Sequence, residues 1–347
     1  MSSNSSHDTT VLVTGASGFI AMHCIAQLLE QDYSVRGTLR TPTREPGLRA
    51  TFARFGDVAN RLDFAQTDLT KDEGWPEAVA GCDYVLHVAS PLPRKLPEHE
   101  DDLIIPAREG TLRVLRAAAA AGVKRVVLTS SISAIIAGHR RDATRVFDET
   151  DWSNTEREIG VYQKSKTLAE RSAWDFINNQ SSTQQLEMAV INPGMVFGPI
   201  LDEDYSTSGE IIRRMMRRTY PGCANIGWAP VDVRDVAAAH LAAMTTPEAA
   251  GHRFCCALEH TWMRDIAKML QKHFGPRGYK IATRRLPDFL IRFIAVFDSG
   301  ARLVVPSLGS HTNISTTHIR KVLNWQPRSV EEMVVAMGES MIEFGVV

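Results

Sequence analysis

Thr14-Gly15-Ala16-Ser17-Gly18-Phe19-Ile20-Ala21 follows directly on the short apolar run Val11-Leu12-Val13. A glycine at 15 permits a tight turn after a strand. A glycine at 18 lets backbone approach a pyrophosphate, and Ala21 takes the third small position, where helix and strand pack closely. Helical periodicity follows at once, with Ile20, Cys24, Ile25, Leu28 and Leu29 on one face. The turn therefore sits between a strand and a helix, the context a dinucleotide-binding turn requires. Backbone N–H groups at Ser17, Gly18, Phe19 and Ile20 would meet the anion at the helix start.

Working outward, strands are expected at Ser34–Leu39, 61–64, 84–88, 126–129 and 188–191, alternating with helices that include the stretch 162–178. Continuous apolar strands alternating with helices predict an α/β fold with a doubly wound parallel (Rossmann) sheet. After Pro193, Gly, Pro and polar residues cluster at 194–209 and 220–230, and a smaller, mostly C-terminal substrate lobe is expected. Strand–helix rhythm returns at 231–243, with a strand at 253–258. The expected division is 10–192 plus 231–258 for the dinucleotide, and 193–230 plus 259–347 for the substrate.

Among 347 residues, 44% are apolar, enough for a large core, and the net charge of −1 argues against nucleic acid as a partner. Five cysteines at 24, 82, 223, 255 and 256 form no C-x-x-C pair, so neither a disulfide framework nor a zinc site is expected, and the eleven histidines show no metal-ligand spacing. Cys255-Cys256 reads as a buried strand with free thiols. The polar first ten residues read as a loose tail and not a targeting segment. The apolar stretch 286–305 carries Arg292, Asp298 and Arg302, costly in a bilayer, and is expected to pack on the protein as a helix followed by a strand or turn. A cytoplasmic protein with no membrane partner, monomeric or homodimeric, is the expectation.

The second expected strand ends Thr38-Leu39-Arg40 with no acid to grip a ribose 2′-hydroxyl. Arg40 and then Arg44 suit a 2′-phosphate, which points to NADPH/NADP. Asp68 and Leu69, after the third strand, are candidates to border the adenine.

The fifth strand ends Thr129-Ser130-Ser131, and Tyr162-Gln163-Lys164-Ser165-Lys166 follows about thirty residues later. Tyr162 and Lys166, four apart, share a helix face. Hydride addition to a carbonyl leaves charge on oxygen, and a proton must be delivered there. A phenol has a reference pKa of about 10, and a neighbouring ammonium would lower it. Tyr162 could then act as general acid, with a strand-end serine donating to the same oxygen. Lys166 would also hold the nicotinamide ribose.

With these segments, His87-Val88-Ala89-Ser90-Pro91, Asn192-Pro193-Gly194, 196–199, 231–236 and Asn324-Trp325-Gln326-Pro327-Arg328, the chain resembles the extended short-chain dehydrogenase/reductase superfamily. Within it the likeness is to the dihydroflavonol reductase, cinnamoyl-CoA reductase and yeast-type methylglyoxal and aldehyde reductase group. The resemblance implies reduction of an aldehyde or ketone. It selects Ser131 as the catalytic serine beside Tyr162 and Lys166. It also implies that Ala89 and Ser90 line the cofactor ribose, that Pro193 presses near the nicotinamide, and that Leu92, Ile132 and Met195 face an apolar substrate pocket. The apolar helix at 287–297 departs from several plant members, so general fungal or bacterial aldehyde and ketone reductases are the nearer likeness. Asp232, Arg234 and Asp235 are expected to be structural, a helix start with an ion pair. Two rival readings are a sugar-nucleotide epimerase or dehydratase of the same superfamily, disfavoured by the missing acid after the second strand, and a non-enzymatic NADP sensor, disfavoured by the retained tyrosine and lysine.

Overall fold

The computed structural model describes residues 9–91, 99–140, 142–181, 185–297, 302 and 304–347. Seven parallel strands form the central sheet: β1 (Thr10–Val13), β2 (Ser34–Leu39), β3 (Leu62–Gln66), β4 (Tyr84–His87), β5 (Arg125–Thr129), β6 (Glu187–Pro193) and β7 (Arg253–Cys256). Their order across the sheet is β7-β6-β5-β4-β1-β2-β3, a doubly wound arrangement whose direction reverses between β1 and β4.

Side-chain alternation explains why these runs lie inside. Val11, Val13, Val127, Ala189 and Ile191 point into a core on one face, with Ile25 and Leu28 of the helix Phe19–Glu30 and Leu241 of Val233–Thr245. Leu12, Val85, Val126, Leu128, Met188 and Val190 fill the other face, against Val114 and Leu115 of Asp101–Ala120 and Ala173 of Val161–Asn178. Period-two strands that are apolar at every position need cover on both faces, which the helices supply.

A second core gathers Phe197, Ile212, Ile266, Leu270, Phe274, Met333, Met337 and Met341. It is built largely by the helices Thr207–Met216, Met263–Phe274 and Val330–Glu343. Pro230–Asp232 pairs in parallel with Met195–Phe197 and not with the central sheet. Ile319, Leu323 and Trp325 leave this second core and pack with the β1 side of the sheet.

Strand ends differ from the sequence reading by one or two residues. β7 stops at Cys256, because Leu258 N–H turns away to Pro230 O at 2.7 Å. Cys24, Cys82, Cys223, Cys255 and Cys256 are all buried and unpaired. Asp232 caps Val233–Thr245 by accepting from Arg234 N, and the Arg234 guanidinium closes an ion pair on the same carboxylate at 2.7 Å. The stretch 286–305, expected to pack as a helix followed by a strand or turn, holds its helix to the protein only along a narrow stripe, and a short 3-10 turn lies at Val305–Ser307. Asp288–Ile294 is helical and buries Ile291, with Ala295 beyond it, while Phe289, Phe293 and Phe297 stand 74%, 63% and 79% exposed. Among the described residues no helix is long and apolar enough to cross a membrane.

Candidate active site

The turn after β1 is held by its neighbours. The Thr14 hydroxyl accepts from Ala89 N at 2.9 Å and meets His87 Nδ1 at 2.9 Å, tying the ends of β1 and β4 together. Gly15 sits at φ +70°, and its N–H donates to Thr38 Oγ1 at 3.0 Å. A Cβ on Gly15 would lie 3.0 Å from the Ala89 Cβ. Gly18 N–H returns to Gly15 O at 2.8 Å, and Gly18 opens the helix Phe19–Glu30. That helix has no side-chain cap and no acid in its first turn. Its leading N–H groups are therefore left for an anion. Ser17, Phe19 and Ile20 are half-buried around it.

Arg40 is exposed just past β2, and among the described residues its guanidinium has no hydrogen-bonded or ion-paired partner. Arg44 differs: its guanidinium reaches Asp202 at 3.1 Å and Asp204 at 3.6 Å, across 158 residues of chain for the first contact. Asp68 turns its carboxylate onto Thr70 N and Oγ1, both at 2.8 Å, and those bonds hold it below the usual carboxylate range. Leu69 is pinned by Arg113, which donates to its carbonyl at 2.8 Å.

At the carboxyl end of β5, Ser131 Oγ accepts from Ser133 N at 3.1 Å and lies close enough to the Tyr162 hydroxyl to act on its acidity. Tyr162 stands in the first turn of Val161–Asn178, behind the N-cap Gly160. The residue as a whole is 37% exposed. Burial raises the phenol from its ordinary value of 10, and the neighbouring Ser131 opposes that. One helical turn on, Lys166 is buried and donates to Thr129 O at 3.2 Å. Burial lowers its ammonium to about 8, against a raising pull from Glu170. The spacing argument expected the ammonium to lower the phenol. Instead Lys166 is tied to the end of β5, and desolvation governs the phenol.

His87 is 1% exposed and neutral: burial, with the Lys166 charge adding to it, lowers its pKa to about 3. Its Nε2 is buried without a partner among the described residues. Pro193 ends β6, and its carbonyl accepts from Ile132 N at 3.0 Å. Ile132 packs on Ala229 and Ala257, whereas the Met195 side chain packs against the second core, with only its backbone N–H reaching Ala229 O at 2.9 Å. Ala89 and Ser90 are half-buried, and Ala89 lies against Gly15. Leu92 lies outside the described residues.

Sequence reasoning missed what lies beneath. Glu170 has no side-chain exposure, and its carboxylate accepts from Ser130 Oγ, from Asn192 Nδ2 at 2.8 Å and from Arg253 Nε at 2.5 Å. Tyr162, Lys166 and Glu170 follow one another at four-residue steps along one helix face, and that continuation was the available signal.

The family described as NAD dependent epimerase/dehydratase matches residues 11–257. Cinnamoyl-CoA reductase 1 of Petunia hybrida is 35% identical over 304 residues, 82% of this chain and 88% of the relative. A putative uncharacterized oxidoreductase of Saccharomyces cerevisiae is 34% identical over 349 residues, covering 94% of this chain and 95% of its own. Among solved structures, yeast methylglyoxal/isovaleraldehyde reductase complexed with NADPH superposes with a TM-score of 0.80 at 26% identity, over 97% of this chain and 99% of that one.

Proposed function

The chain belongs to the NAD-dependent epimerase/dehydratase family, and from that premise we propose that it is an NADPH-dependent carbonyl reductase in which Tyr162 delivers the proton that turns an aldehyde or ketone into an alcohol. As an extended short-chain dehydrogenase/reductase it is an oxidoreductase. The observation that carries the finer reading is that the helix bearing Tyr162 and Lys166 docks on the strand end that leads to Ser131, with the Lys166 ammonium donating to Thr129 O at 3.2 Å.

The residues present suit the cofactor. Gly15 and Gly18 leave a cradle that a Cβ would narrow, the uncapped helix offers N–H groups to a pyrophosphate, and Arg40, exposed and with no guanidinium partner among the described residues, has donors for a 2′-phosphate. In this reading Gly15, Ser17, Gly18, Phe19 and Ile20 hold the pyrophosphate. Asp68 and Leu69 flank the adenine, and Ala89 and Ser90 line a ribose. Tyr162, Lys166 and Pro193 surround the nicotinamide end. Arg44 joins Arg40 only by leaving Asp202 and Asp204.

Bound there, NADPH supplies the hydride. Ser131 donates to the carbonyl oxygen and orients it. The raised phenol of Tyr162 stays protonated at neutral pH, so the acid is present when the alkoxide forms. The Lys166 ammonium provides the counter-charge as the phenolate appears. Ile132 and Met195 offer apolar walls, which favours an apolar or aromatic carbonyl substrate. The cofactor part is 10–192 with 231–258. The substrate lobe is 193–230 with 259–347, apart from the 319–325 stretch that packs on the sheet. The enzyme works in the cytoplasm as a monomer or homodimer.

The test is a panel of aldehydes, diketones and β-ketoesters, with NADPH and then NADH followed by absorbance. Stoichiometric release of NADP⁺ supports the reductase. A reaction with no net oxidation of cofactor favours the epimerase or dehydratase alternative. Tyr162→Phe is expected to cut turnover by about 10²–10⁴-fold, the usual weight of a general acid, while still binding NADPH. Unchanged turnover would remove Tyr162 from its role.

A further inference from the structure

We propose that Glu170 is a positioning residue for this reaction: locked under the site by Ser130, Asn192 and Arg253, it holds Lys166 in its charged form and fastens the Lys166 helix to the strand end that carries Ser131. The proposal rests on the carbonyl-reductase reading of the same site. Its geometry is that of a hub. One carboxylate oxygen accepts from Ser130 and from Asn192 Nδ2, and the same Asn192 nitrogen donates to Ser131 O at 3.2 Å. The other accepts from Arg253, 83 residues away on β7, and from Trp174 Nε1 at 3.5 Å. Arg253 is fixed in turn: it donates to Glu149 O at 2.8 Å and Asp151 O at 2.7 Å, and stacks 3.8 Å over Trp152.

A carboxylate with no exposure is costly to bury unless it is hydrogen-bonded and paired, and these partners do both. A cavity of about 10 Å³, lined by Thr111, Thr129, Ser130, Lys166 and Glu170 among others, separates helix from strand ends. Both side chains are buried where they line it, so solvent screens the two charges only weakly.

The groups facing Lys166 pull in both directions. Tyr162 and Glu170 lie on its own helix, His87 faces it from β4 as a neutral ring, and Thr129 O accepts from it on β5. Thr111 comes from the helix Asp101–Ala120, and Arg253 lies behind Glu170 on β7. Glu170 is therefore the negative charge that opposes the desolvation of a buried ammonium.

Selective ¹³Cε-lysine labelling of the full chain, with the Lys166 signal assigned by its loss in Lys166→Arg, tests this without turnover. Lys166 is expected to titrate near 8 in the wild type, and at least about one pH unit lower in Glu170→Gln. That variant strands the Arg253 charge and is at risk of unfolding, so Glu170→Gln/Arg253→Met, which removes both charges, is measured beside it. The same downward shift is expected there, because Glu170 acts on Lys166 more directly than Arg253 does. The alkaline limb of kcat/KM should move in parallel. A lower Tm with an unmoved Lys166 titration in the folded variants would reduce Glu170 to a packing role and overturn the proposal. A shifted titration in a protein whose wild type reduces no carbonyl would overturn the functional reading and leave the Glu170–Lys166 coupling standing.

Discussion

Replacing Gly18 by alanine should separate cofactor binding from folding. Gly18 has φ −82° and ψ 149°, a conformation alanine adopts freely. The new Cβ would lie 3.2 Å from Gly15 O, so a shift of a few tenths of an ångström accommodates it. Loss of unfolded-state freedom offsets that strain by about 0.4–1 kcal/mol, and Tm should stay within a degree or two of wild type. The methyl would occupy the approach of a pyrophosphate to the leading N–H groups of Phe19–Glu30. Losing one charge-assisted hydrogen bond, about 1.5–3 kcal/mol, weakens binding about 10- to 150-fold.

Gly15→Ala is the control with the opposite profile. It forces a side chain onto φ +70° and against Ala89, at a cost of about 1–2 kcal/mol for the left-handed backbone alone, enough to lower Tm by a few degrees. NADPH fluorescence titration and thermal melts of the two variants decide the matter. If Gly18→Ala binds NADPH as wild type does, the turn is not the anion site, and the assignment of the whole cleft fails with it.

Arg40→Ala should weaken NADPH by about tenfold or more while leaving NADH nearly unchanged, whereas Arg44→Ala should do little, because Asp202 and Asp204 already hold that guanidinium; equal losses of both cofactors in Arg40→Ala would move the phosphate contact elsewhere. Acid should destabilise the fold through its buried neutral imidazoles. His23, His87 and His240 have folded pKa values of about 4, 3 and 4, against 6.5 in the unfolded chain, through burial above all. Below 6.5 the unfolded chain takes up protons that the folded one refuses, so stability falls from pH 6.5 towards 4, with a limit of about 1.4 kcal/mol per pH unit for each histidine. Urea midpoints measured from pH 7 to 4 should decline over that window, and a flat profile would mean these rings are hydrated.

The fold was legible because its signals are local. Val11-Leu12-Val13, Gly15 and Gly18 fall within eight residues, and a strand, a left-handed turn and a helix start are properties of neighbouring backbone. Tyr162 and Lys166 could be paired on the same ground, since four residues is one helical turn. What stayed hidden depends on distance through space. Nothing near Arg44 announces that Asp202 will hold it. Nor does the apolar run at 288–297 reveal that its phenylalanines face outward while Ile291 and Ala295 turn in. The sign of the Tyr162 shift also lay beyond reach: a lysine one turn away promised a more acidic phenol, yet the acidity is governed by how deeply the oxygen is buried and by whether the ammonium points at it or at Thr129. Residue order along the chain decides which groups can share a helix face or a strand end. Dehydration and Coulomb energy depend on every group packed around an atom, and for Lys166 those come from β4, β5, β7 and two helices that only folding brings together.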